Sequence, residues 1–422
     1  MKLICLMLSF FLLSVNINAI SIFNNEHIIE DVPYVSQSKN DLYCNYACCA
    51  MLLQYYGINV SLQEVLHNTG IGYSLSASPR ISPTLSDDFP YPVGFPHHFR
   101  CWCGQETSLG EEDAKFLAKL YGLSCEYIYP KIVLDEEKCW NEYWGRVKSY
   151  VLNDIPVSTN VDFTLLPYYI NLFNLSGRAY HFSHNIVIVG FDEIKGLVYY
   201  HDPLCKAYTN EEDGKYAELS IDTFRKAVYS VHWCIWNGWE EGYTTLIFKK
   251  SGEPMPKEKA FELAHKRNIE RIKGNSSAYD KQSCRANFKF FGINALKVLK
   301  KDFNLKNFLI RLPLLILLKK FYMPLIMQPY DFLIMEKENV SIYLKNADLN
   351  PVCWHDAILL DKEVECWKEI KGLLKRLNET IDINPLKTVA LCIPILQNIR
   401  ENIDEIIEIE EKIIGYKHSY IL

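Results

Sequence analysis

The segment from Asp41 to Gly57 decides the fold class, and it reads Asp-Leu-Tyr-Cys-Asn-Tyr-Ala-Cys-Cys-Ala-Met-Leu-Leu-Gln-Tyr-Tyr-Gly. Its apolar residues recur at the spacing of one helix face and Gly57 ends the pattern, so we predict a helix over residues 43–56. Cys44 falls in the first turn of this helix, where unpaired backbone N–H groups and the helix dipole favour an anion. A thiol in that position can have a lowered pKa, which makes it a nucleophile near neutral pH.

A second segment supplies possible partners for this thiol. It runs from His181 to Asp202 and predicts two strands joined by a hairpin turn. If the hairpin is symmetric about Ile194, Asp202 lies opposite Ile186. His184 and Asp202 then project from the same face of the sheet as diagonal neighbours. A one-residue slip would separate them, so this prediction depends on the register.

Together the two segments contain the residue types of a nucleophile, a base and an orienting acid. The imidazole of His184 can take the thiol proton of Cys44, and the carboxylate of Asp202 can hold that imidazole in one tautomer. His181 and His201 are rival candidates for the base. A structural interpretation also stays open, because a buried cysteine often serves only as a small apolar residue.

Composition and charge exclude several classes of function. The 422 residues include 45 Lys+Arg and 51 Asp+Glu, and the net charge of −6 lacks the basic footprint of a nucleic-acid-binding protein. The Cys101-Trp-Cys103 pair has no second pair at zinc spacing nearby. Neither a glycine-rich phosphate loop nor a His-Glu-x-x-His motif occurs. We therefore predict no nucleic-acid partner, no metal and no cofactor.

The N-terminal residues have the order of a secretory signal peptide. Lys2 precedes an apolar run, and Ala19 is a small residue at the expected cleavage position, so we predict a signal peptide over residues 1–19 and an extracytoplasmic location. An uncleaved anchor or a buried first helix is the alternative, and without a signal the protein would be cytoplasmic. Charges and prolines interrupt the apolar residues 308–335, which favours a buried or interfacial helix pair over an integral membrane domain.

The pattern of predicted elements divides the chain into two parts. Residues 27–250 alternate short helix and strand signals, as is typical of an α+β domain, whereas residues 257–422 are almost entirely helical. Gly252 and two prolines lie in residues 251–256, which we interpret as a linker.

These motifs resemble a known family. Residues 32–37, the cysteine that opens a helix ending in Tyr-Tyr-Gly, and residues 184–192 followed by Asp202-Pro203 are similar to the papain-like cysteine peptidases that process bacteriocin leaders. Residues 155–169 and the pair His181 and His184 resemble the N-terminal domain of the butirosin-biosynthesis acyltransferase BtrH.

The resemblance implies a papain-like cysteine-peptidase fold followed by an all-helical C-terminal domain. It implies that Cys44 is the nucleophile, His184 the general base and Asp202 the orienting residue. Gln37 matches the glutamine that helps to form the oxyanion hole in the peptidases. Asn45 replaces the glycine commonly found after the nucleophile, and the step from Gln37 to Cys44 is longer than usual.

The same resemblance implies a reaction and a set of substrate-binding residues. The reaction is cysteine-dependent acyl transfer from a thioester or peptide donor to an amine or to water, with Asp162, Tyr168 and His181 on the substrate side. For Asp162 and Tyr168, a turn followed by packing aromatic residues is the alternative. Three hypotheses follow, namely an acyltransferase of the butirosin type, a cysteine peptidase or amidase, and a non-catalytic papain-like binding module.

Overall fold

The computed structural model of the protein describes residues 25–38, 43–73, 75–77, 102–103, 109–128, 135–169, 183–207, 209, 211–231, 242–278, 290–347, 351–381 and 385–416. The predicted signal peptide, residues 1–19, lies outside the described residues, and so does His181.

The elements follow the chain in this order. The strands are β1 (Glu26–Ile28), β2 (Ser76–Ala77), β3 (Trp102–Cys103), β4 (Leu123–Ile128), β5 (Val157–Asp162), β6 (Ser183–Asp192), β7 (Leu197–His201), β8 (Ala217–Ser220), β9 (Thr245–Lys250) and β10 (Phe290–Phe291). The helices are α1 (Cys44–Tyr55), α2 (Leu62–Thr69), α3 (Glu111–Leu120), α4 (Glu136–Val151), α5 (Glu211–Gly214), α6 (Ile221–Ser230), α7 (Lys257–Ile272), α8 (Gly292–Asp302), α9 (Leu305–Asn346), α10 (Pro351–Thr380) and α11 (Pro385–Gly415).

The main sheet has the strand order β4-β9-β5-β6-β7-β8, and β1 also pairs with β6. Strands β5, β6, β7 and β8 pair antiparallel with their neighbours, as do β1 with β6 and β5 with β9. A smaller sheet has the order β10-β2-β3. An antiparallel sheet with helices, followed by a helical C-terminal region, confirms the predicted α+β class.

The chain divides into two compact units, and the division differs from the predicted one. The first unit comprises Met1–Asn59 and Cys125–Lys250, and the second comprises Val60–Ser124 and Ser251–Leu422. Residues 60–124 therefore group with the C-terminal helices. The reason lies within the second unit, where α7 is tied to α2 and α3. Buried Arg271 donates to the Thr69 carbonyl and, over 2.7 Å, to the Asp113 carboxylate.

Helix α1 lies in the core of the first unit. Every residue from Tyr46 to Leu53 is buried, and the helix packs against β5 and β6. It ends where Gly57 adopts a left-handed conformation with φ of 80°, which a glycine reaches without steric cost. The predicted helix over residues 43–56 is therefore confirmed to within a residue at each end.

The second unit, which we call the helical unit, contains one element that the sequence analysis predicted wrongly. Residues 308–335 lie in the single 42-residue helix α9 rather than in a helix pair. Both ends of this stretch are anchored in the helical core, with Phe308 and Leu312 at one end and Tyr330 and Leu333 at the other. Packing of this kind can offset the cost of prolines inside a helix, about 3 kcal/mol each. In the described part of the chain, no helix is both long and apolar enough to cross a membrane.

Candidate active site

Cys44 is the first residue of α1, and its surroundings favour a negative charge. The N-cap residue Tyr43 provides no side-chain hydrogen bond to the first turn, and that turn contains no acidic residue. The dipole at this end of the helix favours a negative charge, and no carboxylate of the first turn opposes it. The thiol itself is half-buried and free.

Strands β6 and β7 set the positions of the other two candidate residues. Val187 lies opposite His201, as a hairpin symmetric about Ile194 requires, so the predicted register is confirmed beside the site. At the turn the register differs by one residue, because Asp192 pairs with Leu197. A β-bulge between Ile188 and Gly190 absorbs the difference.

The structure brings Cys44, His184 and Asp202 together. The Nε2 atom of His184 lies 2.8 Å from Oδ1 of Asp202, and both side chains are buried. The imidazole also interacts with the Cys44 thiol closely enough that each group shifts the pKa of the other. Since Nε2 is engaged by Asp202, Nδ1 is the ring nitrogen left for the sulfur. The three groups have the connectivity of a nucleophile, a base and an orienting acid.

The charges of this group shift two pKa values in opposite directions. Burial alone would raise the pKa of the Cys44 thiol, but the hydrogen bond and the positive charge of His184 outweigh it and lower this pKa. Burial alone would lower the pKa of His184, but the Asp202 carboxylate and the Cys44 sulfur raise it to about 10. The arrangement therefore favours a thiolate and imidazolium pair between the two values.

Asp202 is held rigidly from several sides. Its Oδ1 also accepts a hydrogen bond from the backbone N–H of Leu204 at 2.9 Å, and its Oδ2 accepts one from the hydroxyl of Tyr169 at 2.8 Å. Its backbone N–H donates to the carbonyl of Gly214 at 2.8 Å. A Cβ at Gly214 would lie only 2.7 Å from the Asp202 carbonyl oxygen, so this close approach requires a glycine. These contacts fix the carboxylate that orients His184.

Gln37 lies in the segment that precedes α1. Its backbone N–H donates to the carbonyl of Pro203 over 2.8 Å, which links it to the residue after Asp202. The residue is buried, with 5% of its surface exposed. Gln37 is thus attached to the same part of the fold as the orienting acid.

The predicted substrate-binding residues have different environments. Asp162 is fully buried, and its carboxylate accepts hydrogen bonds from Thr164 at 2.7 Å and from Ser230 at 3.0 Å. The Asp162 carboxylate also caps the short 3₁₀ turn Phe163–Leu165, and its substrate role stays a prediction. Tyr168 is half-buried, and burial followed by the charges of Asp213, Cys205 and Asp202 raises the pKa of its hydroxyl.

His201, a rival candidate for the base, is not available for that role. Its Nε2 lies 3.0 Å from the carbonyl of Val32, and its Nδ1 accepts a hydrogen bond from the backbone of Tyr216 at 3.0 Å. Burial lowers its pKa to about 4. The ring of His201 therefore links β7 to the segment around Val32 through a hydrogen bond.

Two residues that contact the site were missed by the sequence analysis. Tyr169 donates to Asp202, and the side chain of Asn185 donates to the sulfur of Cys44 over 3.8 Å. Asn185 directly follows His184 in the sequence, so its position next to that residue could have indicated a place in the site. The role of Tyr169 depends on the path of the loop after β5, which no local pattern predicts.

The other cysteines of α1 differ from Cys44 in their surroundings. Across the described ranges, no group of three His, Cys, Asp or Glu side chains could hold a metal ion. The same ranges show Cys48 and Cys49, the neighbours of Cys44 on α1, as buried free thiols. Burial raises the pKa of each of them well above the ordinary value.

Comparison with known proteins supports one family. No curated protein matches the chain. Residues 29–232, slightly less than half of the chain, match the model of the Peptidase_C39 like family. The matched segment includes Gln37, Cys44, His184 and Asp202. Residues 29–232 are therefore similar to the Peptidase_C39 like family, and this similarity supports a papain-like domain of the cysteine-peptidase type.

Proposed function

We propose that the protein catalyses cysteine-dependent acyl transfer through a thioester on Cys44. The observation that supports this proposal most strongly is the placement of His184, which forms a hydrogen bond with Asp202 and lowers the pKa of the Cys44 thiol. A buried imidazole between a thiol and a carboxylate can exchange a proton with the thiol and with a leaving group. A merely structural cysteine would not need either partner.

The proposed reaction has two steps. The Cys44 thiolate attacks the carbonyl carbon of the donor, and His184 gives its proton to the departing amine or thiol, which leaves a thioester. An amine or a water molecule then attacks this thioester and gives a proton to His184, and the acyl product departs as the thiolate returns. Gln37 is proposed as a donor to the oxyanion formed in each step, a contribution worth roughly 10²-fold in rate or more.

Two classes of acceptor remain candidates. The family match favours a peptide donor and water, which is a cysteine peptidase or amidase. The second candidate is transfer to an amine, as in the butirosin-type acyltransferase. It is favoured by residues 155–169, whose resemblance to that enzyme coincides with the loop that delivers Tyr169 to Asp202. On the substrate side, Asp162, Tyr168 and His181 remain proposals.

The acyl-enzyme is the intermediate to detect. We expect the full chain, incubated with a peptide thioester, to gain the mass of one acyl group on the peptide that contains Cys44. The Cys44→Ala variant should gain none, whereas a Cys49→Ala variant should behave like the unaltered protein. Release of the acyl group to water or to an added amine separates the two candidates. A Cys44→Ala protein that still turns over the donor would contradict the proposal. The hypothesis of a non-catalytic binding module predicts no adduct on the unaltered protein, so that result would contradict the proposal too.

A further inference from the structure

The side-chain amide of Asn185 contacts the reacting sulfur. Its Nδ2 donates to Sγ of Cys44 over 3.8 Å, a distance within the range of hydrogen bonds to sulfur. The residue is buried, with 5% of its surface exposed. Asn185 is thus a neutral donor held beside the nucleophile in a place that water scarcely reaches.

The register of the sheet explains how Asn185 reaches the sulfur. Strand β7 pairs with β6 only from Val187 onward, while β5 covers the other edge and pairs Asn160 with Asn185. At residues 184–186 this edge of β6 is therefore not paired with β7, and Asp202 and the first turn of α1 lie beside it. The backbone N–H of Asn185 also forms a hydrogen bond with Cys44, and both donors of Asn185 lower the pKa of the thiol, after the larger effects of burial and His184.

We propose that Asn185 is a catalytic residue that stabilises the Cys44 thiolate through its side-chain amide. His184 gives up its proton to the leaving group and regains one only when the acceptor attacks the thioester, so its positive charge beside the sulfur is present at some stages of the reaction and absent at others. An amide keeps its N–H groups at every stage and at every working pH. Asn185 therefore stabilises the sulfur anion when the acyl group leaves it as well as when the free enzyme waits for substrate.

The size of the effect follows from the geometry. A hydrogen bond to a charged acceptor is stronger than a neutral one, but the contact to sulfur is long. We expect loss of the amide to reduce the thiolate population at neutral pH by about fivefold. The inference rests on the proposed function in one respect, namely that Cys44 must be reactive.

The test is the pH dependence of Cys44 alkylation by iodoacetamide in the full chain, read by mass mapping of the peptide that contains Cys44. Asn185→Leu removes the donor at similar volume, and Asn185→Asp replaces it with a negative charge. We expect the apparent pKa of alkylation to rise in the first variant and to rise further in the second. Asn268→Leu is the control, because buried Asn268 donates to the His67 carbonyl within the helical unit. It should leave the alkylation profile unchanged.

The outcomes separate this inference from the proposed function. If Cys44 is reactive but both Asn185 variants keep the original apparent pKa, the inference is overturned and the proposed function stands. If Cys44 of the unaltered protein reacts no faster than the other cysteines, the proposed function fails and the inference fails with it. Should Asn185→Leu not fold, Asn185→Asp, which has the same shape, decides the question alone.

Discussion

The imidazole of His184 lies between a thiol and a carboxylate, and both neighbours act on it in the same direction. Asp202 and the Cys44 sulfur raise its pKa to about 10 against the opposing effect of burial, while His184 lowers the pKa of Cys44. These values belong to the pair rather than to either residue, because each titration changes the other. The consequence is a pH range in which the nucleophile and the acid for the leaving group exist together.

The rate of acyl-enzyme formation should therefore depend on pH in a bell-shaped way. It should rise as the Cys44 thiol ionises, below the ordinary range of a thiol, and fall as the pH passes about 10 and His184 loses its proton. Stopped-flow measurement of acylation by a peptide donor would record this profile. A single rise centred at the ordinary thiol value would contradict the ion pair.

Replacement of Asp202 should disable the base. Asp202→Asn keeps the shape but removes the charge that raises the pKa of His184 and holds its tautomer, so we expect acylation to slow by on the order of 10³-fold. NMR titration of His184 should show a lower pKa in the variant. Asp192→Asn is the control, since Asp192 lies on the same hairpin and its carboxylate contacts Lys195. Equal losses in the two variants would indicate general damage to the hairpin.

At the scale of elements, the hairpin shows how far a pattern can predict a site. Its two strands and the order of His184 and Asp202 are readable from the sequence, because alternation and turn residues are local signals. The bulge at Val189 is not readable, since valine there has no distinguishing feature. The predicted symmetric hairpin misplaces the turn by one residue. It gives the right register for Val187 and His201, because the bulge compensates for the difference.

Helix starts are more predictable because a single side chain can determine them. Ser61 and Glu64 have the spacing of a capping box, and in the structure Ser61 Oγ accepts a hydrogen bond from the backbone N–H of Glu64 at 3.1 Å. By contrast, α9 passes through the prolines that were expected to divide it. The helix stays continuous because its two ends pack in the helical core, and a local sequence pattern does not show such packing.

Removal of this cap should have a measurable cost. Ser61→Ala leaves the N–H of Glu64 without its acceptor, and we expect the free energy of unfolding to fall by about 1 kcal/mol. Ser61→Asp is the matched control, because a carboxylate can accept the same hydrogen bond. Urea titration would measure both variants. Equal destabilisation by alanine and by aspartate would argue against the cap.

At the scale of the whole molecule, the two units differ in how they use buried charge. In the first unit, His184 and Asp202 belong to the candidate site. In the helical unit, Lys337 lies 2.7 Å from Glu363 and 3.6 Å from Glu410, and all three side chains are buried. Burial and the neighbouring Glu363 charge raise the pKa of Glu410 to about 8, although Lys337 opposes this shift. The grouping of residues 60–124 with this unit could not be predicted, because it depends on contacts distant in sequence.

The buried Glu410 should make unfolding of the helical unit depend on pH. Its pKa is higher in the folded than in the unfolded state, so its contribution to stability is complete below the unfolded value of about 4.5 and disappears as the pH rises through about 8. Thermal unfolding between these limits should show stability falling with pH, and the slope should be smaller in Glu410→Gln. The same slope in both proteins would exclude Glu410 as its source.

Removal of Lys337 should destabilise the helical unit strongly. Lys337→Met leaves Glu363 buried without its partner, for which we expect a loss of about 3 kcal/mol or more in the free energy of unfolding. Lys368→Met is the control on α10, because Lys368 pairs with Glu338 and Glu365 at the surface. It should change stability by less than about 1 kcal/mol. Similar losses in the two variants would contradict the assigned difference in burial.

The most direct test of the central claim is competitive alkylation of the native full chain at pH 7, with each cysteine quantified by peptide mass mapping. Cys125 and Cys139 are internal controls, because both are half-buried cysteines like Cys44. Burial and nearby carboxylates raise the pKa of Cys139, whereas His184 lowers that of Cys44. We predict that Cys44 is labelled first, at least about tenfold faster than either control, and that His184→Ala removes this advantage. Labelling of Cys44 no faster than that of Cys125 and Cys139 would contradict its assignment as the nucleophile.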